Sequence, residues 1–92
     1  MDIDTNDLWL FGIADKRSGY SQICAYGSRA TCLSAYEPML RGARSTGLNT
    51  DSLYLMEYPT FSVDDLEGFL RDPSTFYDFA MRTNSKRIRL DA

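Results

Sequence analysis

The spacing of apolar and polar residues changes several times along the chain, and each change marks an element. Leu8 to Ala14 (Leu-Trp-Leu-Phe-Gly-Ile-Ala) is a short run of strand formers, so a first strand is expected there. Asp15-Lys16-Arg17-Ser18-Gly19 is a turn cluster. Tyr20 to Tyr26 is then expected to return as a second strand, antiparallel to the first. Gly27-Ser28-Arg29 turns the chain again.

Residues 30–36 admit two readings. On a helix, Leu33, Tyr36, Leu40 and Ala43 share one face, and Ser34 with Glu37 resembles a capping box. Pro38 then belongs in or near the first turn. On a strand, Thr31 to Tyr36 pairs back onto the second strand, with Cys24 and Cys32 placed symmetrically about Ser28. The helix is favoured, from about residue 34 to 46, with Gly47 closing it and Leu48 as its hydrophobic partner.

Asp51 to Tyr58 is apolar on both alternating faces, which predicts a central strand ended by Pro59. Ser62 and Asp65 then form a capping-box pair, and Phe61 can staple onto Leu66. Val63, Leu66, Phe69 and Leu70 make the inward stripe of the helix that follows. Asp72-Pro73 ends that helix and begins another, as N-cap and first helical residue. Phe76, Phe79 and Ala80 carry the buried face of this last helix, with Tyr77 and Met81 pointing elsewhere and Asn84 beyond its end. Lys86 to Leu90 alternates strictly and reads as a final, half-exposed strand. The order is β-β-α-β-α-α-β: an α+β fold with a mostly antiparallel sheet of about four strands and its helices on one face. Residues 1–92 are expected to form one domain, with residues 1–7 frayed.

Composition narrows the chemistry. The 92 residues include no histidine, which removes the commonest general base and metal ligand. Hydrophobic residues make up 43% of the chain and aromatics 13%, too much for a disordered segment. The first residues are acidic where a secretion signal would be basic, and the longest apolar stretch is far short of a membrane span. A cytoplasmic location is therefore expected, the host cytosol if the protein is phage-encoded, with Cys24 and Cys32 reduced and acting as small apolar residues. No nucleotide-binding glycine motif is present, and Asp2, Asp4 and Asp7 lack the glycine and distant glutamate of a calcium loop. No catalytic residue, metal or cofactor is expected.

Charge is distributed in blocks. Residues 1–15 hold four acids and no base, and residues 16–50 hold five bases and one acid. Residues 51–81 hold seven acids and one base, and residues 82–92 hold four bases and one acid, for a net −3. The most acidic block also holds seven of the twelve aromatics: Tyr54, Tyr58, Phe61, Phe69, Phe76, Tyr77 and Phe79. Carboxylates around exposed aromatics suit a basic protein partner, since aromatics anchor and charge steers. The expected partner surface is Asp64, Asp65, Glu67, Asp72, Tyr77 and Asp78. A second candidate surface is the basic C-terminal run, Arg82, Lys86, Arg87 and Arg89, which guards a sheet edge against aggregation, binds a protein partner along that edge, or tracks nucleic acid.

The leading expectation is a non-catalytic, macromolecule-binding inhibitor that blocks a nucleic-acid-binding protein. By analogy of size and charge alone, it resembles the compact acidic inhibitors of phage and mobile elements, anti-CRISPR proteins among them. The alternatives are an immunity protein or antitoxin that neutralises a toxin, and a small histidine-free nuclease or nucleic-acid binder using the basic C-terminal strand. The protein is expected as a monomer or homodimer, without a membrane partner.

Overall fold

The computed structural model describes residues 5–46 and 50–82. Three strands form one antiparallel sheet: β1 (Trp9–Ala14), β2 (Ser21–Gly27) and β3 (Leu53–Glu57), in the order β2-β1-β3. Three helices accompany them: α1 (Arg29–Thr46), α2 (Val63–Arg71) and α3 (Pro73–Arg82). The fold class is α+β, as expected. Among the described residues the sheet has three strands. The fourth, anticipated at residues 86–90, lies outside them, as do the closing residues Gly47 and Leu48.

The helices do not share one face of the sheet. α1 packs on one side, and α2 with α3 covers the other. The reason is written in β1, whose two sets of alternating side chains are both apolar. Trp9 and Phe11, with Ile13, meet Cys32, Tyr36 and Leu40 of α1, while Leu8, Leu10 and Ala14 meet the layer of Phe69, Phe76 and Phe79. A strand buried on both faces demands a cover on each. β3 repeats the pattern, with Leu53 and Leu55 toward α1 and Tyr54 and Met56 toward α2 and α3. Its apolar run therefore reports two covered faces. Among the described strands the middle position belongs to β1.

β2 pairs with β1 across a β-bulge, where the register shifts between Phe11 and Gly12. The bulge puts the neighbours Cys24 and Ala25 both against the α1 cluster, while Ile23 packs into the other. Gly12 is the one residue of β1 that must lack a side chain. A Cβ there would sit 2.7 and 2.8 Å from ring carbons of Phe76. Phe76 reaches that spot with edge contacts to Tyr54 at 6.2 Å and to Phe69 at 5.3 Å between ring centroids. Aromatic pairs in this geometry contribute about 0.5–1.5 kcal/mol beyond the burial of their area.

α1 begins five residues earlier than residue 34. Ser28 is its cap: the Thr31 N–H donates to Ser28 Oγ at 3.2 Å, and the Cys32 N–H donates to the Ser28 carbonyl at 3.1 Å. Ser34 is thus an interior residue, its hydroxyl donating to the Ala30 carbonyl at 2.9 Å. The capping box anticipated at Ser34 and Glu37 does not form. Pro38 lies in the middle of the helix, where it has no N–H to give the Ser34 carbonyl. Tertiary packing of Cys32, Tyr36, Leu40 and Ala43 overrides that interruption.

The second capping box forms as its spacing predicted. The Asp65 N–H donates to Ser62 Oγ at 3.0 Å, and the Ser62 N–H donates to the Asp65 carboxylate at 3.1 Å. Phe61 and Leu66 are buried together beneath it. Asp72 closes α2 by donating its N–H to the Gly68 carbonyl and opens α3 by accepting from the Ser74 N–H and hydroxyl. Two details differ from expectation. Leu70 is 41% exposed and outside the stripe, and Tyr77 and Met81 pack against the same cluster as Phe76. At the start of the described chain, Thr5–Asp7 forms one 3-10 turn.

Candidate interaction surfaces

Sandwiching the sheet separates the charge blocks in space. The α2–α3 layer carries Asp64, Asp65, Glu67, Asp72 and Asp78 against Arg71 and Arg82. α1, on the opposite side of the sheet, carries Arg29, Arg41 and Arg44 against Glu37. Among the described residues the helices on one side are therefore mainly acidic and the helix on the other mainly basic, while Asp7, Asp15 and Asp51 add carboxylates on the α1 side. This polarity follows from alternation of charge along the chain combined with alternation of the helices across the sheet.

The six residues of the expected acidic surface divide by what they already do. Asp65 and Asp72 are engaged in caps, where their carboxylates serve backbone N–H groups. Tyr77 is half-buried against the core. Asp64 and Asp78 are exposed, and Glu67 is partly so, three residues on from Asp64 on the same side of α2. Asp64, Glu67 and Asp78 are thus the carboxylates of that group that make no hydrogen bond or ion pair among the interactions described, although Asp64 stands in the first turn of α2, where the helix dipole favours negative charge. Arg71, one turn beyond Glu67, moderates the acidic field locally.

The aromatics of the acidic block go mainly to the interior. Tyr54, Phe61, Phe69, Phe76 and Phe79 are core residues, and only Tyr58 is open to solvent. Composition reveals how many aromatics a segment holds; which of them the sheet covers depends on the pairing. The exposed aromatics are Tyr20, Tyr26 and Tyr58. Tyr26 lies opposite Leu10, and the Tyr58 N–H donates to the Leu8 carbonyl at 2.9 Å. Both tyrosines therefore flank β1 on the α2–α3 face, at one end of the sheet. Tyr58 precedes α2 by five residues, and Tyr26 stands on the outer strand β2. Sequence spacing alone did not single out Tyr26, because its exposure depends on the bulge and on its edge strand.

Of the basic run, Arg82 ends α3, exposed, with its Nε–H donating to the Asp78 carbonyl at 3.4 Å. Lys86, Arg87 and Arg89 lie outside the described residues. On the basic side, the Arg29 guanidinium stacks over Trp9 at 5.6 Å and ties the start of α1 to β1.

A cleft of about 570 Å³ opens between the β1–β2 turn and the C-terminal half of α1. Ile13, Met39, Ala43 and Leu53 form its apolar walls, and Arg17 and Tyr20 stand on the hairpin side. Asp15 also borders it, but its carboxylate folds back into its own turn, accepting from the Ser18 hydroxyl at 2.8 Å and the Arg17 N–H at 3.1 Å. Those hydrogen bonds, with a smaller contribution from the nearby Arg17 charge, hold Asp15 below the usual carboxylate range. The Tyr20 hydroxyl donates to the Gln22 side chain.

Cys32 is buried and Cys24 half-buried, and neither forms a disulfide. Burial pushes the Cys32 thiol up to about 11, with the Asp7 charge adding to the effect and a Phe11 backbone hydrogen bond opposing it. Burial raises the Cys24 thiol as well. Thiols of this kind are protonated packing groups near neutral pH, the opposite of an activated nucleophile. Among the described residues, no three His, Cys, Asp or Glu side chains come together as a metal site, and no helix is long and apolar enough to cross a membrane.

In comparisons with known proteins, the chain matches no family model, no curated protein and no solved structure.

Proposed function

We propose that this is a non-catalytic protein-binding domain that inhibits a partner by covering a basic surface. The observation that carries the reading is the separation of charge across the sheet, with Asp64, Glu67 and Asp78 facing outward from the α2–α3 layer. The exposed Tyr58 and Tyr26 supply aromatic contact area of the kind that anchors interfaces. Nucleic-acid-binding proteins present the complementary surface, dense in Lys and Arg. A domain that occupies it competes with the polyanion directly. The anti-defence reading, in which the partner is a nucleic-acid-binding effector met in a host cytosol, is the narrower form of this proposal.

The test is capture of a partner from nuclease-treated lysate by immobilised protein, beside a variant carrying Asp64→Lys, Glu67→Lys and Asp78→Lys. All three positions lie outside the core, and a melting curve of the variant checks that the fold survives the charge reversal of Asp64 in the first turn of α2. A partner that binds the parent protein and is lost from the variant supports the proposal. A partner retained equally by both moves the interface elsewhere.

A further inference from the structure

We draw no further inference here: the strongest candidate, the apolar cleft between the β1–β2 turn and the C-terminal half of α1, is lined by Asp15 as well as Arg17, and nothing in the structure shows what covers it.

Discussion

The tightest constraint in the core is the contact between Gly12 and Phe76, and Gly12→Ala tests it. The added Cβ lands 2.7 and 2.8 Å from two ring carbons of Phe76 and 3.1 Å from the Gln22 carbonyl oxygen. Non-bonded carbons prefer about 3.5–4.0 Å, so the ring must withdraw by roughly 0.7 Å or more. It has nowhere easy to go. Phe76 is fully buried, with Tyr54 at its edge and Phe69 beside it, and Phe69 in turn meets Phe79 at 5.1 Å. Overpacking of a filled core costs about 1–3 kcal/mol. Removing a strand glycine returns roughly 0.5–1 kcal/mol of that by restricting the unfolded chain. The net expectation is a loss of about 1–2 kcal/mol. In a domain of this size that corresponds to a fall in melting temperature of roughly 5–15 °C. Urea unfolding at 25 °C measures it directly, and Phe76→Leu supplies the control. Because Leu vacates the ring position, the double variant should be more stable than the sum of the single losses by about 1 kcal/mol or more. A Gly12→Ala protein as stable as its parent, or losses that simply add, would refute the packing argument.

Three further expectations follow from the caps, the interrupted helix and the buried thiol. Ser62→Ala removes one half of the capping box and should cost about 0.5–2 kcal/mol in urea unfolding, whereas Ser34→Ala, in the interior of α1, should change stability by less than about 0.5 kcal/mol. Pro38→Ala restores the missing N–H to the Ser34 carbonyl and should stabilise the protein by roughly 1–3 kcal/mol, read as a higher urea midpoint with greater helical ellipticity. The folded-state pKa of Cys32 is raised, from 9.0 to about 11. The unfolded chain therefore releases this proton first. Stability should be unaffected below about pH 8, then decline as pH rises through the window between the two values. Cys32→Ala should flatten that alkaline decline in a series of melts from pH 7 to 10.5.

Local chemistry was the legible part of the sequence. The Ser62–Asp65 box, the Asp72-Pro73 junction and the β1–β2 hairpin each depend on residues within a few positions of one another, so spacing suffices to place them. The helix layers required more. Leu8 to Ala14 is apolar at both odd and even positions, which already calls for covers on two faces, but the strand does not say which helix supplies which cover. The start of α1 was displaced because Ser28 caps it with Thr31 three residues later, where a capping box would carry Glu or Gln. Pro38 then drew the expected helix toward itself.

The candidate surfaces divide in the same way. Charge blocks are a property of the chain, and the sandwich sets the acidic helices α2 and α3 on one side of the sheet and the basic helix α1 on the other. Exposure of aromatics is a property of the pairing. Phe61, Phe69, Phe76 and Phe79 sit among carboxylates in sequence and beneath them in space. Tyr26, in a stretch without charge, is exposed on the edge strand β2. The Arg17 cleft was invisible for a related reason, since its walls come from β1, the hairpin turn, α1 and β3, whose meeting no local pattern records.

The central claim is that the α2–α3 layer binds a basic partner through Asp64, Glu67 and Asp78. Its most direct test is the affinity of the captured partner for the parent protein and for the triple lysine reversal, each measured from about 50 to 300 mM salt. The account predicts that binding to the parent weakens steadily as salt rises. For the reversal, affinity should be lower by tenfold or more at low salt, and the salt dependence flattened or inverted. Equal affinities with parallel salt curves would contradict it and place the functional surface on another side of the sheet.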